Sequence, residues 1–170
     1  MAHRRHRLVV EVDGSAAAQS ALEWALRQAR WLDATVLVVT AWDTPAARRG
    51  APQNVGATVV GGALAESPPE RRRRVTALQQ RCIAQARAAV GPRNLPVIGR
   101  ELVSADPVTA VRQAGRRADM LVVGGGDRPL PNTVATGLRR SRVPVVVVTP
   151  PQLALDPVET VAVETVAVGV

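Results

Sequence analysis

The chain has 170 residues, enough for one domain whose core needs no disulfide or metal to hold it. Apolar residues make up 46%, yet Phe and Tyr are absent, so Val, Ala and Leu must fill the interior. The formal net charge is +8 and no residue is Lys; this fits the codon bias of a high-GC genome, and otherwise points to an anionic partner. A lone cysteine, Cys82, excludes an internal disulfide and suits a reducing compartment. Met1 to Arg7 is basic but leads into a strand-like run, unlike a secretion signal. No apolar run approaches the ~20 residues that span a bilayer, so no membrane association is expected and the expected location is the cytoplasm.

Leu8 to Val12 reads as a short buried strand, broken by Asp13 and Gly14. Ser15 suits an N-cap, because its hydroxyl can accept a free amide at a helix start. From Ala16 to Trp31 the apolar positions Leu22, Ala25, Leu26 and Ala29 recur at helical spacing. Thr35 to Ala41 is a second, Val-rich strand, which completes a βαβ unit. Residues 42–69 hold four Gly and four Pro with no helical period, and read as a long irregular loop of the kind that serves function or is a mere insertion. A helix follows from Pro69 to about Val90, with Val75, Leu78, Cys82, Ala86 and Ala89 as its apolar stripe and Gly91 and Pro92 as its stop.

Pro96 to Val103 is the third predicted strand. Asp106 as N-cap and Pro107 at the first helical position open a helix that carries Val108, Val111 and Gly115 inward and ends near Arg117. Met120 to Val123 is the fourth strand, ended by Gly124, Gly125 and Gly126. A short helix from about Thr133 to Arg140 and a fifth strand, Val145 to Val148, complete the pattern. Alternation of strands and helices implies α/β architecture: a flavodoxin-like doubly wound parallel sheet in the order 3-2-1-4-5, with helices on both faces. The tail, residues 150–170, lacks Arg and repeats a β-prone pentapeptide at Val158 and Val163. It pairs with a sheet edge or stays disordered.

The run Leu8 to Ser15, the helix segment Ala21 to Ala25, the pair Asp106–Pro107, the stretch Ala118 to Gly124 and the strand Val143 to Val148 together resemble universal stress proteins, over residues 7–149. The resemblance implies a flavodoxin-like domain, usually a homodimer, with ATP bound in many members. In the ATP-binding type an Asp after the first strand meets the adenosine portion, and Asp13 matches it. A backbone position late in the second strand meets the adenine, and Val39 is the match. The phosphate loop then reads Gly-x2-Gly-x9-Gly-Ser/Thr; its glycines let amides approach the phosphates.

Gly124 matches the first glycine of that loop, Gly126 lies within it, and Asp127 stands at the second glycine. Family spacing puts the last pair at Gly137 and Leu138, leaving too little chain for a crossover helix before Pro144. Anchoring on the final strand instead puts Pro131 and Asn132 there, with Asn132 only 8 residues beyond Gly124 where the family has 14. This second alignment is preferred. It leaves a degenerate ATP loop with an acid where triphosphate would sit, which is repulsive unless a metal bridges them. No cofactor is expected on this reading; ATP, with or without Mg²⁺, remains the alternative.

Each residue also has a plainer role. Asp13 can simply cap the turn, Asn132 can be an N-cap, and the three glycines can only turn the chain. Arg71 to Arg74 oppose the helix dipole, so stability does not explain them, yet a solvated face accounts for such a run. Trp24 and Trp31 fall on a helix that should pack them, which argues against a stacking platform for nucleic acid. His3 and His6 are too few and too terminal for a metal site or a catalytic base, and Cys82 reads as a buried hydrophobe. The expectation is a regulatory or stress-response protein without catalysis beyond slow ATP hydrolysis, with a degraded nucleotide site. It would dimerise through Val145 to Thr149, aided by the tail, and act through a protein partner. The alternatives are an adenine-nucleotide switch and a nucleic-acid-associated basic protein.

Overall fold

The computed structural model describes residues 5–42, 67–126, 139 and 141–150. Five strands, β1 (Arg7–Glu11), β2 (Thr35–Trp42), β3 (Ile98–Ser104), β4 (Met120–Gly124) and β5 (Val145–Val148), form one sheet in the order β3-β2-β1-β4-β5. Every pairing is parallel, with Val10 opposite both Val38 and Val122. The predicted order is therefore the observed one. β3 starts at Ile98, after Pro96, a residue that has no N–H to donate to a ladder.

Helix α1 (Ala16–Trp31) buries Ala18, Ala21, Leu22, Ala25, Leu26 and Ala29, which repeat every three to four residues along one face. Complete burial of Leu22 and Leu26 stabilises by about 1.5–3 kcal/mol each. Ser15 caps the helix by accepting the Ala18 N–H at 3.1 Å. Helix α2 (Pro68–Val90) begins at Ser67, where Glu70 accepts from the Ser67 N–H at 3.0 Å and from its hydroxyl at 2.7 Å. Its buried residues are Val75, Gln79, Cys82, Ile83 and Ala86. Ala89, placed on the stripe by the sequence, is exposed, because a period of 3.6 turns the last residues out of line. Helix α3 (Pro107–Gly115) has Asp106 as its cap, accepting from the Thr109 N–H at 3.0 Å. It buries Ala110, Val111, Ala114 and Gly115, while Val108 is only half-buried.

The sheet separates two apolar clusters. Leu8, Val10, Val36 and Val38 meet α1 and α2 on one face, and Val9, Val39, Val103 and Val123 meet α3 on the other. Right-handed crossovers produce this division, since the chain first moves from β1 toward β3 and then reverses toward β5. Trp24 packs on the first cluster, but Trp31 is 86% exposed, so α1 does not pack both tryptophans. Of the predicted helix from Thr133 to Arg140, only Arg139 is described, and it is helical. The predicted loop (except Trp42 and residues 67–69) and the tail beyond Pro150 lie outside the described residues.

Candidate functional site

Because the winding direction reverses between β1 and β4, their carboxyl ends open a crevice. β1 leads there into Val12, Asp13, Gly14 and Ser15. Gly14 has φ +89°, and a side chain there would also strike Leu78 of α2 at 2.8 Å. This turn holds Asp13 exposed. One carboxylate oxygen accepts the Ser15 N–H at 2.8 Å, and the other has no partner among the described residues. Asp13 thus does serve the turn, and it also presents an oriented carboxylate at the end of β1.

Val39 is buried, its side chain is in the second cluster, and its carbonyl accepts the Val12 N–H at 2.9 Å. The sheet has therefore already claimed the backbone acceptor assigned to adenine. β2 runs farther than β1, whose pairing stops at Glu11 opposite Val39. Backbone groups on a strand face the same neighbour every second residue. Ala41 is the next β2 residue whose N–H and C=O face the β1 side, and β1 has ended there. Ala41 is therefore a further candidate position at this end of β2, beside Val39. Comparing where the two Val-rich runs end, Val12 against Trp42, was the available signal.

At β4, a Cβ on Gly124 would lie 2.4 Å from the Ala17 carbonyl carbon and 2.5 Å from the Ala18 nitrogen. The first turn of α1 rests directly on this residue, so packing alone demands glycine. The Gly125 N–H donates to the Val148 carbonyl at 2.8 Å, and a Cβ there would meet Val147 at 2.7 Å. Gly126 is exposed, with open space where its Cβ would be. Asp13 and the Gly124–Gly126 run thus occupy adjacent strand ends. Asn132 lies outside the described residues.

One further acid shares this end of β1. Glu11 is half-buried on the α3 face, in line with Val9. Burial, followed by the nearby Asp13 charge, pushes its pKa from 4.5 up to about 8. At neutral pH Glu11 is therefore mostly protonated, and Asp13 alone of the two biases the crevice against dense negative charge. His6, the only histidine among the described residues, precedes β1 and sits at the opposite end of the strands. Cys82 is buried on α2, and burial pushes its thiol pKa up, away from the thiolate form.

The universal stress protein family model matches residues 4–149 of the chain. The chain belongs to the universal stress protein family. Among solved structures, a universal stress protein in complex with cAMP is 23% identical, with a TM-score of 0.57 over 84% of this chain and 96% of that one. A universal stress protein from Lactobacillus plantarum is 16% identical, with a TM-score of 0.59 over 85% and 98%. A family member from Arabidopsis thaliana with AMP bound is 18% identical, with a TM-score of 0.54 over 91% and 97%. No curated protein matches the chain. These structural likenesses establish the universal-stress fold in this chain. Among the described residues, no helix is long and apolar enough to cross a membrane.

Proposed function

We propose that this universal stress protein is a non-catalytic regulator that holds an adenine nucleotide carrying a single phosphate in the crevice between β1 and β4. The observation that carries the reading is the pairing of an exposed, oriented Asp13 with the Ala41 backbone beyond the end of β1. Together they supply a carboxylate for a ribose hydroxyl and a peptide edge for a base. The phosphate half is weaker. Gly124 and Gly125 are committed to packing and to the sheet, and Asp13 adds a carboxylate. A triphosphate would meet this carboxylate with few free amides to offset the repulsion. Relatives solved with cAMP and with AMP are in keeping with a one-phosphate ligand. The site positions a ligand and has no neighbouring imidazole or thiolate among the described residues, so its role is to report nucleotide level to a protein partner. The protein would act as a homodimer through the edge strand β5, where Val147 is 47% exposed.

Calorimetric titration of nucleotide-free protein with adenosine, AMP and ATP·Mg²⁺ tests this. AMP should bind at least as tightly as ATP. Asp13→Ala should weaken AMP by roughly tenfold or more, the loss expected for a charge-assisted hydrogen bond, without lowering Tm. ATP binding tenfold tighter than AMP would refute the one-phosphate reading. No heat with any of the three would leave the degraded crevice as a scaffold and move the search to protein partners.

A further inference from the structure

On the outer side of α2, away from the crevice, a cleft of about 870 Å³ opens between the first turns of that helix and the carboxyl ends of β2 and β3. Trp42, Arg72, Arg73, Thr76, Arg100 and Leu102 line it. Its volume lies in the range of small-ligand sites. We propose that it binds a small, multiply charged phosphate anion.

Strand alternation decides the charge of the cleft. Ile98 packs on the first cluster and Val103 belongs to the second. Arg100, two residues after Ile98, therefore lies on the α2 face, and Glu101, two before Val103, lies on the α3 face. The Glu101 carbonyl turns inward, where it accepts from Gln79 at 3.1 Å. Among the described residues, three arginine side chains line the cleft, and Glu101, which also borders it, has its carboxylate on the α3 face by this alternation. None of Arg72, Arg73 and Arg100 forms an ion pair among the described residues. Arg72 stacks on Trp42, with its guanidinium carbon 5.9 Å from the ring centroid, which leaves its fork edge available.

The floor is rigid. Gln79 is 2% exposed, and its amide nitrogen, whose two N–H groups are shared among three acceptors, also lies 3.2 Å from the Val38 carbonyl and 3.1 Å from the Thr40 hydroxyl. This one side chain bonds α2 to both strands beneath it, so helix and strand arginines converge on a fixed frame. Converging cations repel one another, and a ligand with several charged oxygens relieves that cost while accepting bidentate hydrogen bonds. A phosphate chain has this chemistry. Leu78, which packs over Gly14, lies on the other side of α2, so the helix separates the cleft from the Asp13 crevice.

The probe is sodium tripolyphosphate, titrated calorimetrically into the full chain at neutral pH and low salt without divalent metal. Saturable one-to-one binding is expected. Arg73→Ala and Arg100→Ala should each weaken it roughly tenfold, and the double variant about a hundredfold. Both side chains are exposed and form no ion pair among the described residues, so circular-dichroism melts should match wild type and separate lost binding from lost fold. Saturating AMP and the Asp13→Ala variant should both leave the isotherm unchanged, whether or not the crevice takes nucleotide. Absence of saturable heat, or equal affinity in the double variant, would overturn the proposal. Competition with AMP would place the anion in the crevice and overturn it too. A short single-stranded oligonucleotide binding far more tightly than tripolyphosphate would make nucleic acid the occupant and reject the small-anion assignment.

Discussion

Replacing Glu11 by glutamine should stabilise the protein much more at pH 8 than at pH 5. In the folded chain this carboxyl keeps its proton up to about pH 8, whereas its ordinary pKa is 4.5. Between those values the folded state binds more protons than the unfolded state, so stability falls as pH rises. The cost is absent below the unfolded pKa and complete above the folded one. One pKa unit corresponds to about 1.4 kcal/mol. Glu11 keeps some solvent contact, which lowers the penalty accumulated between pH 5 and pH 8 to about 3 kcal/mol. Glutamine has nearly the same shape and does not ionise. Any cost of burying its amide is the same at both pH values and cancels in the difference. Urea unfolding of both proteins at pH 5 and pH 8 is the assay. With an m-value of about 2 kcal/mol/M, the midpoints should differ by about 1.5 M more at pH 8 than at pH 5. An equal difference at both pH values would show that Glu11 ionises freely and that the end of β1 is wet, which would refute the burial of this carboxyl.

Two further outcomes follow from the strand ends. Gly124→Ala puts a methyl group 2.4 Å from the backbone of α1, and should cost about 3 kcal/mol, lowering Tm by about 10 °C. Gly126→Ala, where space is open, should stay within about 0.5 kcal/mol of wild type; equal losses in the two variants would contradict the packing account. Val147→Glu places a charge on the exposed edge strand and should convert the proposed dimer to monomer in light scattering, with far-ultraviolet circular dichroism unchanged. An unchanged dimer mass would put the interface elsewhere.

Elements, their order and their caps were legible in the sequence because they rest on local physics. The stripe Leu22, Ala25, Leu26, Ala29 repeats with the helical period, Ser15 and Asp106 offer side-chain acceptors at helix starts, and the Val-rich runs favour extended chain. Alternation of these elements pointed to a doubly wound parallel sheet, whose expected strand order is the observed one. Asp13 was also legible, because an acid beside Gly14 marks both a turn and a strand end. Tertiary structure alone decided the rest. Whether Val39 or Ala41 presents free backbone depends on where β1 stops against β2, a register that neither strand encodes alone. Gly124 needed the approach of α1 to show that its bare backbone serves packing. Gln79 reads as an ordinary polar helix residue until three acceptors from β2 and β3 surround it. Arg72, Arg73 and Arg100 belong to segments far apart in the chain, and only the packing of α2 on the sheet edge brings their charges to one cleft. Propensity and periodicity act over a few residues, whereas register, close approach and converging charge are set by the folded contacts.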